Sequence, residues 1–455
     1  MREPPQKKVL YWCPRCNVPL LGQSCACGGE GERIPLLRPY DIRPAPGHDR
    51  ELLSSLLLER FGTGDLPEIV LFNKTGGLDR NDLVIANGAR FGWLSFHPCT
   101  RCWSFVPEQE ALPFLLPRAR AGIIDLETAC REPGTISGRK IGGKKVAVRT
   151  GIADGPVIVR YKGMAGTGFL SGDSLKIRKI GPVHPREYPD PGWDVAVEMN
   201  RFHLKNLERH AIRFIRQHMS DRPRANVSFS GGKDSTVALE LARRAGVTEC
   251  YFIDTGMEFP ETLSFAGEMG IPVRLSGRGL FNHIRERGLP AKDNRWCCEL
   301  LKLLPVKMWL GKGGECVTIQ GNRYYESFSR AGLPPVCENP FHPGQLNISP
   351  IRNWRALEVF LYIWWRKLAV NPLYEMGFER VGCWMCPAML ESEFELVKTI
   401  HPDLHRRWIA VLQEYAEKHG HPPEFIGCGL WRWENPPPKM QELCREKKGR
   451  PAKKS

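Results

Sequence analysis

A chain of 455 residues is too long for one hydrophobic core, so two to four domains are expected, and 13 Trp with a 42% apolar content exclude a disordered protein. With 65 Lys and Arg against 50 Asp and Glu, a formal charge of +15, the composition suits a polyanionic partner or an anionic substrate. The N-terminus lacks the apolar core of a secretory signal and the longest apolar run, VFLYIWW at 359–365, is too short to span a bilayer. A cytoplasmic protein with no membrane partner is therefore expected, and in that reducing compartment the 16 cysteines read as metal ligands or reactive thiols rather than a disulfide framework.

Residues 1–45 carry Cys13-x-x-Cys16 and Cys25-x-Cys27, the latter followed by Gly28 and Gly29. Four thiolates on two facing knuckles satisfy a tetrahedral structural zinc, and a segment this short has little other means of folding, so a zinc ribbon is expected. The second knuckle is C-x-C where C-x-x-C is usual, which leaves a different metal, or none, open. Pro39, Pro44 and Pro46 then read as a linker. Over 46–117, a mixed intermediate region, the pattern predicts a helix at 49–60 and two strands, in GARFGWLSF and CWSFVP; Cys99 and Cys102 read as half-buried cysteines of a hairpin in preference to a metal site. Short strands and glycine turns with interleaved basic residues fill 118–182. Residues 183–222 form a proline-rich stretch and a helix from 194 to 219 whose apolar positions recur at helical spacing.

The run VSFSGGKDST at 227–236 leaves a strand, turns on Gly231 and Gly232 and enters a helix closed by Gly246. Two glycines let the backbone approach a ligand, and the free N–H groups and dipole of the helix N-terminus favour an anion. The stretch is neither a Walker loop nor GxGxxG. Strands at 249–254, 272–275 and 316–320 then alternate with helices at 260–269 and 280–287, which implies an α/β fold with a doubly wound parallel sheet and ligands beyond its C-terminal strand ends. Lys233, Arg323 and Arg330 are the residue types that hold a phosphate, although surface ion pairs account for each arginine taken alone. Cys297-Cys298 and Cys383-x-x-Cys386 form a second thiol set. Adjacent side chains splay apart and serve one tetrahedral ion awkwardly, whereas each can bind a different iron of a cubane; zinc on the same thiols is the alternative.

SGGKDS, IDTGMEFPET, WCCELLKLLPV, QGNRYYESFSR and the run from Ile348 to Pro387 together resemble the adenosine 5'-phosphosulfate (APS) and phosphoadenosine phosphosulfate (PAPS) reductase family. The resemblance implies an adenine nucleotide alpha hydrolase-like (PP-loop) domain over 223–400. Ser230, Gly231, Gly232, Lys233, Asp234 and Ser235 would cradle phosphate or sulfate groups, Asp254, Thr255, Gly256 and Glu261 would lie along the nucleotide, and Arg323 with Arg330 would close on its anionic end. Iron-sulfur members hold a 4Fe-4S cluster with a CC pair and a later CxxC pair, here Cys297, Cys298, Cys383 and Cys386. The order of strands and Gly172-Asp173 in 118–182 resemble a small β-barrel PUA-like domain, an RNA-binding module. The departure lies in 401–455, a C-terminal helical extension and basic tail: the family's mobile Glu-Cys-Gly-Leu/Ile-His is here Gly427-Cys428-Gly429-Leu430-Trp431, so the cysteine remains without its acid and histidine, and Cys428 as a nucleophile stays open beside Lys233 and Asp234 as catalytic candidates.

Two enzyme functions follow. The first is ATP-dependent sulfur insertion into RNA, of the tRNA thiolation type, with a 4Fe-4S cluster, zinc, ATP with or without magnesium, and a sulfur or electron donor of thioredoxin or ferredoxin type. The alternative is an APS/PAPS sulfonucleotide reductase forming sulfite; a non-catalytic RNA-binding protein ranks third. The appended zinc and β modules favour RNA as partner, since a small diffusible substrate gives no reason for them.

Overall fold

The computed structural model describes residues 8–131, 142–276, 279–311 and 314–442. The expected basic tail, with Cys444, and the stretch 132–141 inside the small β module lie outside the described residues. Four sheets organise the rest.

At the N-terminus, Val9–Cys13 pairs antiparallel with Val18–Leu20 on one side and Glu32–Pro35 on the other. Alternation along the strands turns Leu10, Trp12 and Ile34 inward. They do not form a core of their own. They join one continuous cluster with Leu204 and Ile215 of the helix Arg201–Met219 and with Val359 and Ile363 of Ala356–Arg366, helices that cover the parallel sheet. Asn200 stitches the seam, accepting from Leu21 N at 2.7 Å and donating to Pro19 O at 2.8 Å.

The prolines that read as a linker are instead built in. Pro44 ends an edge strand, Ile42–Pro44, where a missing N–H is harmless, and Pro46 precedes the helix Gly47–Phe61. Ile42–Pro44 begins a five-stranded antiparallel sheet continued by Val70–Lys74, Asn81–Ala86, Ala89–His97 and Cys102–Pro107. The sequence reading found two of these strands. Val70–Lys74 and Asn81–Ala86 are buried almost throughout, so they lack the alternation that marks a half-exposed strand. The helix Gly47–Phe61 lays Leu53, Leu57 and Phe61 on this sheet at four-residue spacing.

The small β module is a five-stranded sheet in the order Lys145–Ala147, Ser174–Pro182, Met164–Ser171, Gly155–Tyr161, Ile123–Asp125, antiparallel except for the last pair. Its two outer strands are not neighbours in the sheet, but an antiparallel bridge between Cys130 and Val148, with Arg131 N donating to Ala147 O at 3.0 Å and Arg149 N to Ala129 O at 2.9 Å, joins the segment after Ile123–Asp125 to the end of Lys145–Ala147.

The largest sheet has six strands in the order Val273–Leu275, Glu249–Asp254, Arg224–Phe229, Cys316–Ile319, His342–Ile348, Val336–Asn339. All neighbours are parallel but the last pair, which is antiparallel. This is the α/β sheet that the strand–helix alternation predicts. The chain moves outward from Arg224–Phe229 through two strands and returns to its other flank at Cys316–Ile319, so a topological switch point opens between the ends of those two strands.

A buried charge network docks the antiparallel sheet onto the parallel one. Arg80, 3% exposed, donates to Asp49 Oδ1 at 2.8 Å and to Asp82 Oδ2 at 2.9 Å, while Arg43 bridges Asp49 and Glu379 at 3.0 and 3.4 Å. Burial alone would raise the Asp49 pKa, but Arg80 and Arg43 hold the carboxyl below its usual range. Replacing Arg80 with Met leaves two buried carboxylates with one fewer cation, and urea unfolding of the variant is expected to show a loss of about 3–5 kcal/mol, against under about 1 kcal/mol for the exposed Arg201→Met.

Candidate active site

At the switch point lies a cavity of about 420 Å³, lined by Ser228 to Ser230 and Gly232 to Ser235 after the first central strand and by Gln320 to Arg323 after the second. The glycine turn is fixed from several sides. Gly231 sits at φ +74°, and a Cβ there would lie 2.6 Å from Thr262 Cγ2, so no other residue fits without displacement. Asn371 Nδ2 donates to Gly231 O at 3.2 Å and to Thr262 Oγ1 at 3.0 Å, locking the turn to the neighbouring helix Pro260–Glu268. Ser235 Oγ donates to Gly232 O at 2.8 Å and accepts from Ser230 N at 3.2 Å. The helix Lys233–Ala245 therefore begins with a preset N-terminus facing the cavity, the arrangement that receives an anion.

Lys233 is 6% exposed, with Nζ 3.1 Å from Asp234 Oδ2 and 5.3 Å from the Tyr374 ring centroid. Burial would lower the Lys233 pKa, but Asp234 beside it more than reverses this and the ammonium is retained. Burial likewise opposes the Asp234 carboxylate, and Arg323 with Lys233 holds its pKa below the ordinary value.

The two arginines both line the cavity but differ in how far they are committed to partners. Arg323, 1% exposed, gives Nε to Asp234 Oδ1 at 2.7 Å and its two terminal nitrogens to Asp41 at 2.8 and 3.1 Å. Its guanidinium is committed to two carboxylates, so it positions Asp234 rather than closing on a ligand. Arg330 stands on the cavity wall, hydrogen-bonded to Asn322 and 3.7 Å from Glu326.

Sequence reasoning missed part of this wall. Arg43 and Lys74 reach it from the antiparallel sheet, Lys74 Nζ lying 2.6 Å from Glu379. Tyr374 accepts from Lys233 N at 3.0 Å. The Asn371-Pro372-Leu373 run that supports Tyr374 was a visible signal; nothing local marks Arg43 or Lys74, because tertiary docking alone brings them here.

Asp254, Thr255, Gly256 and Glu261, expected along the nucleotide, are not on the cavity wall. Asp254 Oδ1 accepts from Gly256 N at 2.7 Å, holding a tight turn. Thr255 Oγ1 donates to Glu258 Oε1 at 2.9 Å and lies 3.5 Å from Cys383 Sγ, and Glu261 pairs with His401 at 2.9 Å. The turn thus shapes the thiol site next door.

That site gathers Cys297, Cys298, Cys383 and Cys386, all half-buried and none disulfide-bonded. Trp384 N donates to Met257 O at 2.9 Å and Glu258 bridges Cys383, so the CxxC loop is sewn to the 255–258 turn. The Lys302 ammonium faces Cys383, Glu258, Cys298 and Cys386, and Lys302 and Arg380 also line the nucleotide cavity. Hydrogen bonding from Cys297, helped against burial by Lys302, Arg295 and Arg380, lowers Cys298 to about 6. Among the described residues, Cys13, Cys16, Cys25 and Cys27 are the group whose ligand atoms all lie within 4.8 Å of one another, as one ion requires. The second set does not meet that spacing. Thiols that do not converge on one ion could each ligate a different metal of a polynuclear cluster, and here cations ring them.

Cys428 requires a correction. It is fully buried and forms a disulfide with Cys99, 329 positions away, and it has no place on the cavity wall. The short helix Glu424–Gly427 and the left-handed Gly429 turn it toward the antiparallel sheet. Cys99 is correspondingly no free hairpin thiol, while Cys102 is exposed.

A parallel sheet with a glycine turn entering a helix at its switch point defines a nucleotide-binding α/β fold of the PP-loop kind. Residues 224–389 match the phosphoadenosine phosphosulfate reductase domain. An uncharacterised protein of Methanocaldococcus jannaschii is 34% identical, across 94% of this chain and 96% of that one. The adenosine 5'-phosphosulfate reductase of Deinococcus radiodurans is 28% identical, across 44% of this chain and 74% of that one. The PAPS reductase of Candida auris, solved as a phosphate complex, shares 19% identity at a TM-score of 0.33, covering 41% of this chain and 96% of that one. Over residues 224–389 the chain carries a domain of the phosphoadenosine phosphosulfate reductase family. No helix among the described residues is long and apolar enough to cross a membrane.

Lys233→Ala removes the cation nearest the glycine turn while Arg323 still pairs with Asp234. Calorimetric titration with ATP is expected to show binding weakened by about tenfold or more, with the melting temperature of the free protein within a few degrees of the parent.

Proposed function

We propose that this chain binds ATP on the 230–235 turn and uses it to insert sulfur into RNA, most closely a tRNA thiolation. The observation that carries this reading is the shared wall. Lys302 and Arg380 belong at once to the cavity of the glycine turn and to the surroundings of four unbonded thiols, while Cys428, which a sulfonucleotide reductase would need as its nucleophile, is buried in a disulfide elsewhere. In this scheme an oxygen of the RNA attacks the nucleotide's α-phosphorus, pyrophosphate leaves, and a sulfur nucleophile then displaces AMP. Lys233 and the N–H groups of the turn hold the charge that builds on the phosphates. Cys297, Cys298, Cys383 and Cys386 would hold a 4Fe-4S cluster, which supplies coordinated sulfur or electrons when bound. Cys13, Cys16, Cys25 and Cys27 would hold a structural zinc. A thioredoxin- or ferredoxin-type protein is the donor that such chemistry calls for.

The small β module supports RNA as the substrate. Lys145 stands directly across from Lys176, a like-charged pair that costs stability in an isolated sheet and is relieved by a polyanion. The next strand places Phe169, 45% exposed, opposite Lys176, so an aromatic platform for a base adjoins two cations. The reductase similarity favours sulfite formation as a second reading.

Thionucleosides in RNA from cells with and without the gene, measured by mass spectrometry, decide between them: loss of one thionucleoside is expected, whereas unchanged nucleosides with rapid sulfite release from adenosine phosphosulfate would overturn the first choice. The K145Q/K176Q double variant is expected to bind RNA more weakly, with the slope of log K against log salt reduced by about 1.4, and to keep its ATP affinity.

A further inference from the structure

We propose that Cys99, Cys102 and Cys428 form a thiol–disulfide exchange site that ties the C-terminal segment to the antiparallel sheet and releases it when Cys102 takes over the bond to Cys99, a dithiol then reducing the new pair. The site lies outside the nucleotide cavity, and thiol labelling reads it with neither ATP nor RNA present.

Three thiols from two distant segments meet here in graded exposure. Cys428 is buried, Cys99 is half-buried and bonded to it, and Cys102 is exposed. Only two residues separate Cys99 from Cys102: Cys99 lies in the turn between the strands Ala89–His97 and Cys102–Pro107, and Cys102 opens the second strand, a reach within which a disulfide closes. The exposed Cys102 thiol is the one placed to attack the half-buried Cys99 sulfur.

A metal site is the competing use of these cysteines, and the turn argues against it. Arg101 N donates to His97 O at 2.8 Å and Thr100 N to His97 Nδ1 at 3.2 Å, repeating the bonds of the N-terminal knuckle, Asn17 N to Cys13 O at 2.9 Å and Cys16 N to Cys13 Sγ at 3.4 Å. Arg101 and Asn17 take matching left-handed φ values of 56° and 54°. The backbone is that of a knuckle, but the second ligand position is Thr100, and Cys99 occupies the position of Arg15, one residue out of phase.

The docked segment is incompletely satisfied apart from the covalent link. Arg432 reaches Asp79 at 3.2 Å, and Arg101 reaches Glu391 at 3.3 Å, yet Arg432 Nη2, Trp431 Nε1 and Glu391 Oε2 are buried without a hydrogen-bond partner among the described residues. Arg432 Nη1 also donates to Met389 O at 2.8 Å, Lys292 N to Arg432 O at 2.7 Å, and Arg432 Nε lies 3.5 Å from Glu391 Oε2, so the segment keeps polar contacts beside the disulfide and the unpaired atoms mark where opening costs least.

In the exchange the Cys102 thiolate attacks the Cys99 sulfur. A Cys99–Cys102 bond forms as the Cys99–Cys428 bond breaks, and Cys428 departs as a thiolate that takes up the proton Cys102 gave, with no net loss of electrons. A dithiol then attacks the Cys102 sulfur and supplies two electrons, leaving both residues as thiols and itself a disulfide.

The full-length protein, isolated in air, would be treated with limiting dithiothreitol, quenched with acid, alkylated with N-ethylmaleimide and digested for mass spectrometry. Expected is a transient Cys99–Cys102 linked peptide appearing with alkylated Cys428, and in C102S a Cys428 labelling rate lower by about tenfold or more. C99S should label at Cys428 without reductant, with an unchanged circular dichroism spectrum before alkylation. Equal labelling rates in C102S and the parent, Cys428 alkylated in the parent before reduction, or one equivalent of zinc lost on C428S substitution would each overturn the proposal.

Discussion

The guanidinium of Arg323, wedged between Asp234 on the nucleotide helix and Asp41 at the edge of the antiparallel sheet, is the contact on which the architecture turns. Asp41 also accepts from Ala356 N at 2.7 Å, so one carboxylate ties the edge of the antiparallel sheet to the strand end carrying Arg323 and to the start of a covering helix. Buried charges of this kind persist only when each is matched, and removing any member strands the others. The loop that faces the ligand therefore takes its electrostatic setting from a part of the chain nearly 200 residues upstream, roughly the separation between Asp41 and Asp234.

The glycine turn, the alternation that makes a parallel sheet and the two cysteine sets were legible in the sequence, since each depends on a local pattern: a strand running into a helix, a two-fold or 3.6-fold period, thiols at fixed spacing. What escaped depended on long-range docking. Val70–Lys74 hid because a strand buried on both faces has no alternation, and Arg43 and Lys74 carry no motif that would place them on a cavity wall. Arg323 was recognised as part of the site, but the spacing of a motif says nothing of the carboxylate that arrives from Asp41. Cys99 and Cys428 were read separately for the same reason: a compartment argument counts cysteines, whereas the pairing depends on where a C-terminal segment is laid.

Lys302 and Arg380 give the neighbouring sites a common electrostatic field. A charge placed on the nucleotide side of that wall changes the cost of charge on the thiol side, and the reverse holds equally, since coupling between two occupied sites is reciprocal. The 255–258 turn adds a mechanical link, because Thr255 and Glu258 touch Cys383 and the same turn follows the strand beside the glycine loop.

The N-terminal three-stranded sheet has no interior of its own; Leu10, Trp12 and Ile34 pack into the same apolar mass as the helices of the nucleotide sheet. A module anchored in this way cannot travel between proteins as an interchangeable cassette, because excision would leave an oily scar on its host and a collapsed remnant in its own strands. Lineages carrying this arrangement are bound to inherit ribbon and nucleotide sheet as one unit, and substitutions on either side of the seam must compensate each other in volume.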